Sequence, residues 1–273
     1  MSRTSHLLFI AALLGGASSL GAQAALGSAQ PFGVLGASTV TNTGPSVING
    51  NLGLYPGLSV TGFPPGVVNG SVQINNLIAQ QAQADALSAY NTLRGLAPTA
   101  NLTGMDLGGR TLTPGVYFFE SSAQLTGNLF LDFLGDANAR FVFQIGSTLT
   151  TASASSITAL NGGAGNGVYF TVGSSATLGT TTSFVGNIIA LTSVGLNTGA
   201  NIACGRAIAL NGAVTLQTNT ITANCANDFG SYGFSGGGEA VTAVPEPASL
   251  LLVGTGLLGL LGITRRRRQL HAA

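Results

Sequence analysis

Short pieces of this sequence return after about the length of one solenoid coil, and this recurrence limits the possible folds more than any other feature. Ile189-Ala-Leu-Thr returns as Ile208-Ala-Leu-Asn, nineteen positions later. Ile145-Gly-Ser-Thr-Leu-Thr-Thr is similar to Val172-Gly-Ser-Ser-Ala-Thr-Leu. Quasi-repeats of this length, with Gly, Asn and Thr at the corners, are typical of a β-solenoid whose coils each bury one apolar row. A β-sandwich is the alternative fold, since short and evenly spaced strands suit it too.

One stretch has the pattern of a helix. Residues Ile74–Leu93 contain no Gly or Pro and are rich in Ala, Gln and Leu. The spacing predicts a helix of about 20 residues and ~30 Å, which ends near Gly95 and Pro98. Since this length matches roughly six stacked coils, we expect the helix to pack along one side of the solenoid. The larger apolar residues predicted on its inner face are Ile74, Leu77, Ile78, Leu87, Tyr90 and Leu93, with Ala82, Ala86 and Ala89 between them. We expect this Ala-rich face to pack closely against the solenoid.

Charge is scarce, and this excludes several functions. Charged residues make up 6% of the chain, and every basic residue is Arg. Nucleic acid is not expected as a partner, because phosphate binding needs a footprint of basic residues. Both histidines, His6 and His271, lie in segments that we expect to be removed. The mature body would then lack Ser-His-Asp and Cys-His catalysis and the usual zinc sites, so we predict no enzyme, no metal and no cofactor.

Asp132 and Asp136 are the candidate carboxylate pair, with Arg140 beside them. A polysaccharide-cleaving β-helix would need such a pair. However, Asp132 alternates with the apolar Leu131 and Phe133, and Asp136 follows a Gly at a corner. The pattern therefore favours structural roles for both.

The beginning of the chain is predicted to be a signal peptide, residues 1–24. Arg3 supplies a short positive region, and an apolar run starts at His6. Ala22-Gln23-Ala24 fits the small-x-small rule for signal peptidase. We therefore expect cleavage near Ala24 and an exported mature protein.

The end of the chain is predicted to be a sorting signal, residues 244–273. The motif Pro245, Glu246 and Pro247 precedes the uncharged run Ala248–Ile263, and four Arg follow at once. We predict a short transmembrane helix here, since the run is just below the ~20 residues that a spanning helix needs, and the Arg cluster is expected to keep its far end cytoplasmic. This arrangement resembles the PEP-CTERM signal of Gram-negative bacteria. The resemblance implies processing by an exosortase and a transient anchor in the inner membrane.

Cys204 and Cys225 are the only cysteines, 21 positions apart, which is about one coil. Stacked coils lie ~4.8 Å apart, within the ~4.4–6.8 Å between Cα atoms that a disulfide needs. An exported protein can form disulfides. The spacing fits a bridge between adjacent coils, although the two residues would also pair within a sandwich.

Hydroxyl-bearing residues alternate with apolar residues in several segments, and period two places them on one face of their strands. Thr favours strands and keeps a solenoid soluble, but this does not explain why Lys is absent and Glu is rare. Rows of Thr on a flat and uncharged face indicate a surface that binds ice, because their methyl and hydroxyl groups can hold ordered water. The residues predicted to bind ice are Thr148, Thr150, Ser153, Ser155, Thr177, Thr180, Thr198, Asn201 and Thr215.

Several motifs resemble, in order, the microbial ice-binding protein family: Leu26-Gly-Ser-Ala-Gln-Pro-Phe-Gly-Val-Leu, Val60-Thr-Gly-Phe-Pro-Pro-Gly, Thr111-Leu-Thr-Pro-Gly-Val-Tyr, Phe143-Gln-Ile-Gly-Ser-Thr and Asn211-Gly-Ala-Val-Thr-Leu. The resemblance runs from about Leu26 to Cys225. It implies a mainly β fold, an irregular right-handed β-solenoid (β-helix) of triangular section with one long α-helix packed alongside. Family members bind ice through one flat face, which often carries a Thr-Ala/Gly-x-Thr/Asn pattern. Thr198-Gly199-Ala200-Asn201 matches this pattern.

These observations predict four parts: a signal peptide (1–24), an ice-binding-type solenoid (25–229), a Gly-rich linker (230–243) and the sorting signal (244–273). The predicted function is adsorption to ice, which inhibits its growth and recrystallisation, by a protein exported to the surface or surroundings of a Gram-negative cell. The alternative is a structural or adhesive protein of the exopolysaccharide matrix, with exopolysaccharide as its partner.

Overall fold

The computed structural model describes residues 25–236. The predicted signal peptide, the Pro245–Pro247 motif and the apolar run 248–263 lie outside this range. Among the residues that are described, no helix is both long and apolar enough to cross a membrane.

The described chain forms parallel β-strands and one α-helix, α1 (Leu77–Arg94), with a short 3-10 helix at Gly27–Ala29. Every strand pairs with its neighbours in parallel, so the solenoid is confirmed and the sandwich is excluded. The strands in chain order are β1 (Phe32–Gly36), β2 (Thr39–Thr43), β3 (Val47–Asn49), β4 (Asn51–Leu54), β5 (Ser59–Thr61), β6 (Val67–Val68), β7 (Val72–Ile74), β8 (Ala100–Asn101), β9 (Arg110–Leu112), β10 (Gly115–Phe119), β11 (Ala123–Leu125), β12 (Asn128–Asp132), β13 (Arg140–Ile145), β14 (Leu149–Thr151), β15 (Ser156–Leu160), β16 (Gly167–Val172), β17 (Ala176–Leu178), β18 (Ser183–Ala190), β19 (Val194–Leu196), β20 (Asn201–Ala209), β21 (Val214–Gln217) and β22 (Thr220–Thr222).

The coils have three sides. Side 1 contains β8, β10, β13, β16, the second halves of β18 and β20, β1, β4 and β7. Side 2 is a separate seven-stranded sheet in the order β11-β14-β17-β19-β21-β2-β5. Side 3 contains β9, β12, β15, the first halves of β18 and β20, β22, β3 and β6. β18 and β20 turn from side 3 to side 1 at Gly186 and Gly205, which have positive φ.

The coils do not stack in chain order. The first coils of the chain lie on its last one, because β1 pairs with β20, β2 with β21 and β3 with β22. Helix α1 then carries the chain from β7, at one end of the stack, back to β8 at the other. At 18 residues it spans about 27 Å, which suits this connection along side 1.

Helix α1 packs on side 1 through small residues. Ala82, Ala86 and Ala89 are buried in one cluster with Leu35, Val142, Ile189 and Ile208 of the strands below. The Gln83 side chain donates hydrogen bonds to Gly36 O (2.8 Å) and Ala209 O (3.1 Å), which fixes the helix on the sheet. The Ala side chains allow this close approach, so side 1 is covered.

The predicted Ala-rich inner face is confirmed, but the helix differs from its prediction in its start and in three of the larger apolar residues. It begins after Asn76, whose Oδ1 accepts a hydrogen bond from Ala79 N (2.9 Å), and Ile74 ends β7 instead. Leu77, Ile78 and Leu87 were predicted on the inner face but are exposed. The helix buries its Ala-rich stripe because it lies close to the flat sheet of side 1, and only small side chains fit in the narrow space between them.

The interior is filled by apolar rows that run from coil to coil. Phe143 stacks on Phe170 with ring centroids 4.4 Å apart, and Phe170 contacts Phe184 at 4.8 Å. Cys204 and Cys225 form a disulfide with Cα atoms 5.5 Å apart, which joins β20 to the chain that follows the neighbouring β22. Stacked rings and this bridge hold successive coils in register.

After the disulfide, residues 226–236 pack against the solenoid, and we call them the C-terminal clasp. Phe234 is buried and stacks on Phe133 with centroids 5.9 Å apart. Residues 230–236, predicted as the start of a linker, therefore belong to the packed body.

Arg206 is the buried group that holds the clasp. Its guanidinium donates five hydrogen bonds, to Gln30 O, Asn187 Oδ1, Gly233 O, Ala223 O and Tyr232 O. Burial lowers the pKa of Arg206 to about 10, so the side chain stays charged at neutral pH. All five N–H groups of the guanidinium have a hydrogen-bond acceptor. These bonds join β20 to both the N-terminal segment and the clasp.

Candidate functional site

Side 2 exposes a row of aligned outward residues that crosses all seven strands, and five of the seven are threonines. Strand pairing aligns the outward residue of each strand with that of the next, as in Thr150↔Thr177 and Thr41↔Thr215. We call this the threonine row, and the outward surface of side 2 the threonine face. In spatial order the row is Gln124, Thr150, Thr177, Gly195, Thr215, Thr41 and Thr61.

A second row lies beside the first, two residues earlier along the chain, within β2 and β5 and directly before the other five strands. It consists in the same order of Ser122, Thr148, Ser175, Ser193, Ala213, Thr39 and Ser59. Thr148 Oγ1 donates to Ser122 Oγ (2.8 Å), and Ser193 Oγ accepts from Ala213 N (3.1 Å). Neighbours in a row are about 4.8 Å apart and the rows about 6.6 Å apart, so the face presents a two-dimensional grid of small polar groups.

The strands beneath this grid are fixed by a buried layer. The inward residues Leu149, Ala176, Val194, Val214 and Val40 are fully or almost fully buried. Thr151 also faces inward, where its Oγ1 lies 2.8 Å from Thr182 Oγ1 and accepts from Gly179 N (2.8 Å). A close-packed support of this kind leaves the outward hydroxyls little freedom to move as a group.

No charged residue occurs in the seven strands of side 2. Asp106 is a carboxylate beside one end of the sheet, where it forms an isolated bridge with Gln124. Burial would raise the pKa of Asp106, but hydrogen bonds from Gly108 N and Thr126 outweigh it and lower the pKa below its usual 3.8. This carboxylate is therefore bonded to the protein, and the grid itself is uncharged.

The structure brings four of the predicted ice-binding residues onto the threonine face: Thr148, Thr150, Thr177 and Thr215. Ser153, Thr180 and Thr198 are exposed in the turns that follow β14, β17 and β19, at the corner towards side 3. Thr198 Oγ1 donates to Gln217 Oε1 (3.1 Å). These three residues border the face without belonging to its rows.

Two predicted residues are elsewhere. Ser155 is buried, and its Oγ donates to Leu125 O (3.0 Å). Its prediction as an outward residue is wrong because the turn after β14, with Ala154 at positive φ, breaks the period of two. Asn201 begins β20 on side 3, where its side chain accepts from Thr220 N (2.7 Å) and donates to Gly199 O. It stabilises the corner and does not point from side 2.

The sequence reasoning missed the part of the face that comes from β2 and β5. Thr39, Thr41, Ser59 and Thr61 extend both rows beyond β21. Their segments show the same alternation, Thr39-Val-Thr and Ser59-Val-Thr, so the signal was present. What was missing is the stacking of the first coils on the last.

The carboxylates considered for catalysis bond to the loop after β12: Asp132 is the last residue of that strand, and Asp136 lies in the loop. Asp132 Oδ1 accepts hydrogen bonds from Asn161 Nδ2 (2.8 Å) and Leu134 N (2.9 Å), which lower the pKa of Asp132. Asp136 Oδ1 accepts from Asn138 N (2.9 Å). Among residues 25–236 there is no group of His, Cys, Asp or Glu side chains that could hold a metal ion.

Fold and face define a class of protein: a parallel β-solenoid with one side covered by a helix and another exposing an uncharged grid of threonines. The chain belongs to the ice-binding-like family, whose model matches residues 34–222. The PEP-CTERM protein-sorting motif matches residues 243–268. The predicted family and the predicted sorting motif are therefore confirmed.

Relatives and solved structures agree with this assignment. An ice-binding protein of Nostoc sp. (strain HG1) is 58% identical over 243 residues, 89% of this chain and 87% of the relative. The crystal structure of an ice binding protein from an Antarctic biological consortium is 47% identical with a TM-score of 0.69, covering 72% of this chain and 89% of that chain. The ice-binding protein of the Antarctic ascomycete Antarctomyces psychrotrophicus is 44% identical, also with a TM-score of 0.69, covering 72% and 96%.

Proposed function

We propose that this chain binds ice through the threonine face and thereby inhibits ice growth and recrystallisation. The observation that carries the proposal is the alignment of outward threonines from five of the seven strands of side 2 on a surface without charge. The relatives named as ice-binding proteins support it, because the chain matches them over most of its length. The proposed contact residues are those of the two rows, with the corner residues Ser153, Thr180 and Thr198 at the border.

The chemistry of the face suits ordered water. Each threonine offers a methyl group that excludes water and a hydroxyl that holds it, and the strands repeat these groups at about 4.8 Å. Water held in such a grid can join a growing ice front. Because the buried support already fixes the strands, adsorption orders few side chains and costs little conformational entropy. Ice then grows only between bound molecules, with curved fronts that oppose further growth.

The proposed role is not catalytic. Both histidines lie outside residues 25–236, and Asp132 and Asp136 accept structural hydrogen bonds from Asn161 and Asn138. We also propose that signal peptidase removes residues 1–24, that the body extends to Gly236, and that an exosortase processes the tail while it is anchored in the inner membrane of a Gram-negative cell. The sorting motif over residues 243–268 supports this route.

A charge in the centre of the threonine row tests the proposal. We expect Thr177→Lys to remove most of the inhibition, because an ammonium group holds its own hydration shell among the ordered waters. Thr158→Lys is the matched control, since Thr158 is an exposed strand residue of side 3. The measurement is ice-crystal size after annealing of a frozen solution, as a function of protein concentration. Equal activity of the two variants, whether lost or retained, would contradict the assigned face.

A structural role in the exopolysaccharide matrix is the second candidate, and the sorting motif is the observation that favours it. This role needs no contact with ice. A chain that leaves recrystallisation unchanged but sediments with bacterial exopolysaccharide would support it over ice binding.

A further inference from the structure

The end of the stack formed by β5, β6 and β7 leaves part of the apolar core exposed among the residues that the structure describes. Each of these strands pairs on one side only, with β2, β3 and β4. Val72 and Ile74 lie over the fully buried Leu52 and Leu54, but they are 49% and 38% exposed. A solenoid needs a polar outer surface on its terminal coils to stay soluble as a single copy. The open apolar end therefore suits a partner.

The opposite end of the stack is closed. Leu102 and Leu107, in the loop between β8 and β9, are buried in the core. The same loop contains Asp106, and Arg110 at the start of β9 donates a hydrogen bond to Asp106 O (2.6 Å). One end thus has a loop and charged side chains over its core, while the end at β5, β6 and β7 has neither within the described chain.

The backbone at the open end is oriented to pair with a further strand. Val67 N and Asn69 N donate back towards β3, to Ser46 O (2.8 Å) and Ile48 O (2.7 Å). Because successive amides of a strand point in opposite directions, the amide of Val68 points along the stack, away from β3. Exposed strand edges of this kind pair readily with another chain.

The rim of this end is apolar and uncharged. Leu58 and Leu77 are 71% and 82% exposed, and Ile78 is exposed as well. Residues 25–84, which form the outermost coils here and the start of α1, contain no charged residue. Two such ends therefore meet without repulsion between like charges, which favours a second copy of this chain as the occupant.

We propose that two copies of the chain join at their open ends, related by a two-fold axis normal to side 2. In this arrangement the two β5 strands pair antiparallel, with Ser59 of one copy beside Thr61 of the second copy. The axis exchanges sides 1 and 3, so β7 of each copy lies against β6 of the other. Both threonine faces then lie in one plane, and their rows continue across the junction.

The apolar rim selects this axis. Leu58 and Leu77 lie at the corner between sides 1 and 2, where β4 and β7 end, and Val67 begins β6 at the corner between sides 2 and 3. The axis normal to side 2 brings these two corners together, so Leu77 of each copy meets Val67 of the other. An axis normal to side 1 would instead bring together the starts of the two helices, which both carry positive partial charge.

The size of this end is sufficient for a dimer. The coil repeats after 20 residues, as the pairing of Val40 with Val60 shows. A three-sided coil of this length, with its side chains and the helix start, offers roughly 600 Å² on each copy, and the total of about 1,200 Å² reaches the lower limit of specific interfaces. Most of the buried area would be apolar.

The dimer would double the flat surface that is offered to ice. Two linked faces adsorb together, because the second binds at a high effective concentration once the first is bound. This consequence rests on the proposed function, whereas the dimer itself rests only on the open end.

Distances between spin labels test the arrangement. Both native cysteines are in the disulfide, so Thr215→Cys and Gln124→Cys each supply the only free thiol of the full chain, studied in a mild nonionic detergent. The two residues lie on the third and the seventh strand of side 2, counted from the open end. With strands about 4.8 Å apart, we expect about 24 Å between the two labels at position 215 and about 62 Å between those at position 124.

Other outcomes would overturn the proposal. Head-to-tail stacking would give about 34 Å at both positions, and copies that associate only through their tails would give broad distributions. A monomer would also overturn it. If a thiol introduced by Leu77→Cys were then protected from reagents, residues outside 25–236 would cover the open end instead.

A charge at the open end should separate the copies. We expect Leu77→Glu to give a monomer in sedimentation equilibrium, and an acidic residue in the first turn of a helix does not harm its folding. Met105→Glu is the matched control, since Met105 is an exposed apolar residue at the closed end, and it should remain a dimer. Equal masses of the two variants would count against the assigned end.

Recrystallisation assays separate this proposal from the function on which its consequence rests. We expect Leu77→Glu to require a several-fold higher protein concentration than Met105→Glu for the same inhibition. If the label distances are as expected but no sample inhibits recrystallisation, the ice-binding function fails and the dimer stands. If the unsubstituted chain inhibits recrystallisation as a monomer, the dimer alone is overturned.

Discussion

Gly195 interrupts the threonine row between Thr177 and Thr215. Its backbone is not in the left-handed region, and a Cβ there would meet no atom within 4 Å. Threonine therefore fits without strain, and a β-branched residue in place of Gly stabilises a strand by up to about 1 kcal/mol.

We expect Gly195→Thr to lower the protein concentration that stops recrystallisation, because it completes the row. Gly195→Lys occupies the same open position with a charge and should raise that concentration. Recrystallisation assays and thermal unfolding of both variants provide the comparison. If both variants are equally stable and equally active, the row is not the contact surface.

The buried side chain of Arg206 contributes to stability by bonding several backbone segments at once. Arg206→Met would leave Gln30 O, Ala223 O, Tyr232 O and Asn187 Oδ1 without this donor inside the protein. Breaking a buried charged network costs about 3–5 kcal/mol, so we expect a loss of this size in the free energy of unfolding, measured with urea.

Arg94→Met is the matched control for this prediction. Arg94 is half-buried and makes one hydrogen bond, to Ile145 O (3.0 Å), so its replacement should cost about 1 kcal/mol. Similar losses in the two variants would show that Arg206 does not hold the clasp.

The elements of this fold could be predicted from the sequence better than their arrangement. Coil length, the Cys204–Cys225 spacing and the alternation around Thr150 all follow from residues close in sequence. The order in which the coils stack does not follow from such residues, because β2 joins β21 through a pairing of more than 150 residues in separation, and β5 is added to the sheet only through β2. Coils of similar length with almost no charge carry little that distinguishes one neighbour from another.

The turns explain the remaining errors in the candidate site. Period two holds only inside a strand, and β14 has just three residues. The turn after it reverses the direction of Ser155, whose hydroxyl then satisfies the buried Leu125 O. In the helix, Leu77 and Leu87 fit an apolar stripe, but the close approach to side 1 selects the alanines. Both outcomes depend on packing between coils, which a single segment does not encode.

At the scale of the whole molecule, the three sides have separate tasks. Helix α1 covers side 1, the clasp closes the corner between sides 3 and 1, and side 2 remains open. The charged side chains are also distributed unevenly among the sides, since none lies in the strands of side 2. Ice adsorption through side 2 should therefore depend on shape and on uncharged hydrogen bonds, not on ionisation.

This division predicts how activity responds to pH. Hydrogen bonds lower the pKa of Asp85, Asp106 and Asp132 below 3.8, although burial opposes them at Asp85 and Asp106. A carboxyl whose pKa falls on folding stabilises the protein above its unfolded pKa of about 3.9, and this contribution is lost as the pH falls through the lower folded value. We therefore expect recrystallisation inhibition and the melting temperature to be constant from about pH 5 to 9 and to fall only below about pH 4. A marked change of activity near pH 6 to 7, with the melting temperature unchanged, would mean that a titrating group contacts the ice and that the uncharged grid of side 2 is not sufficient.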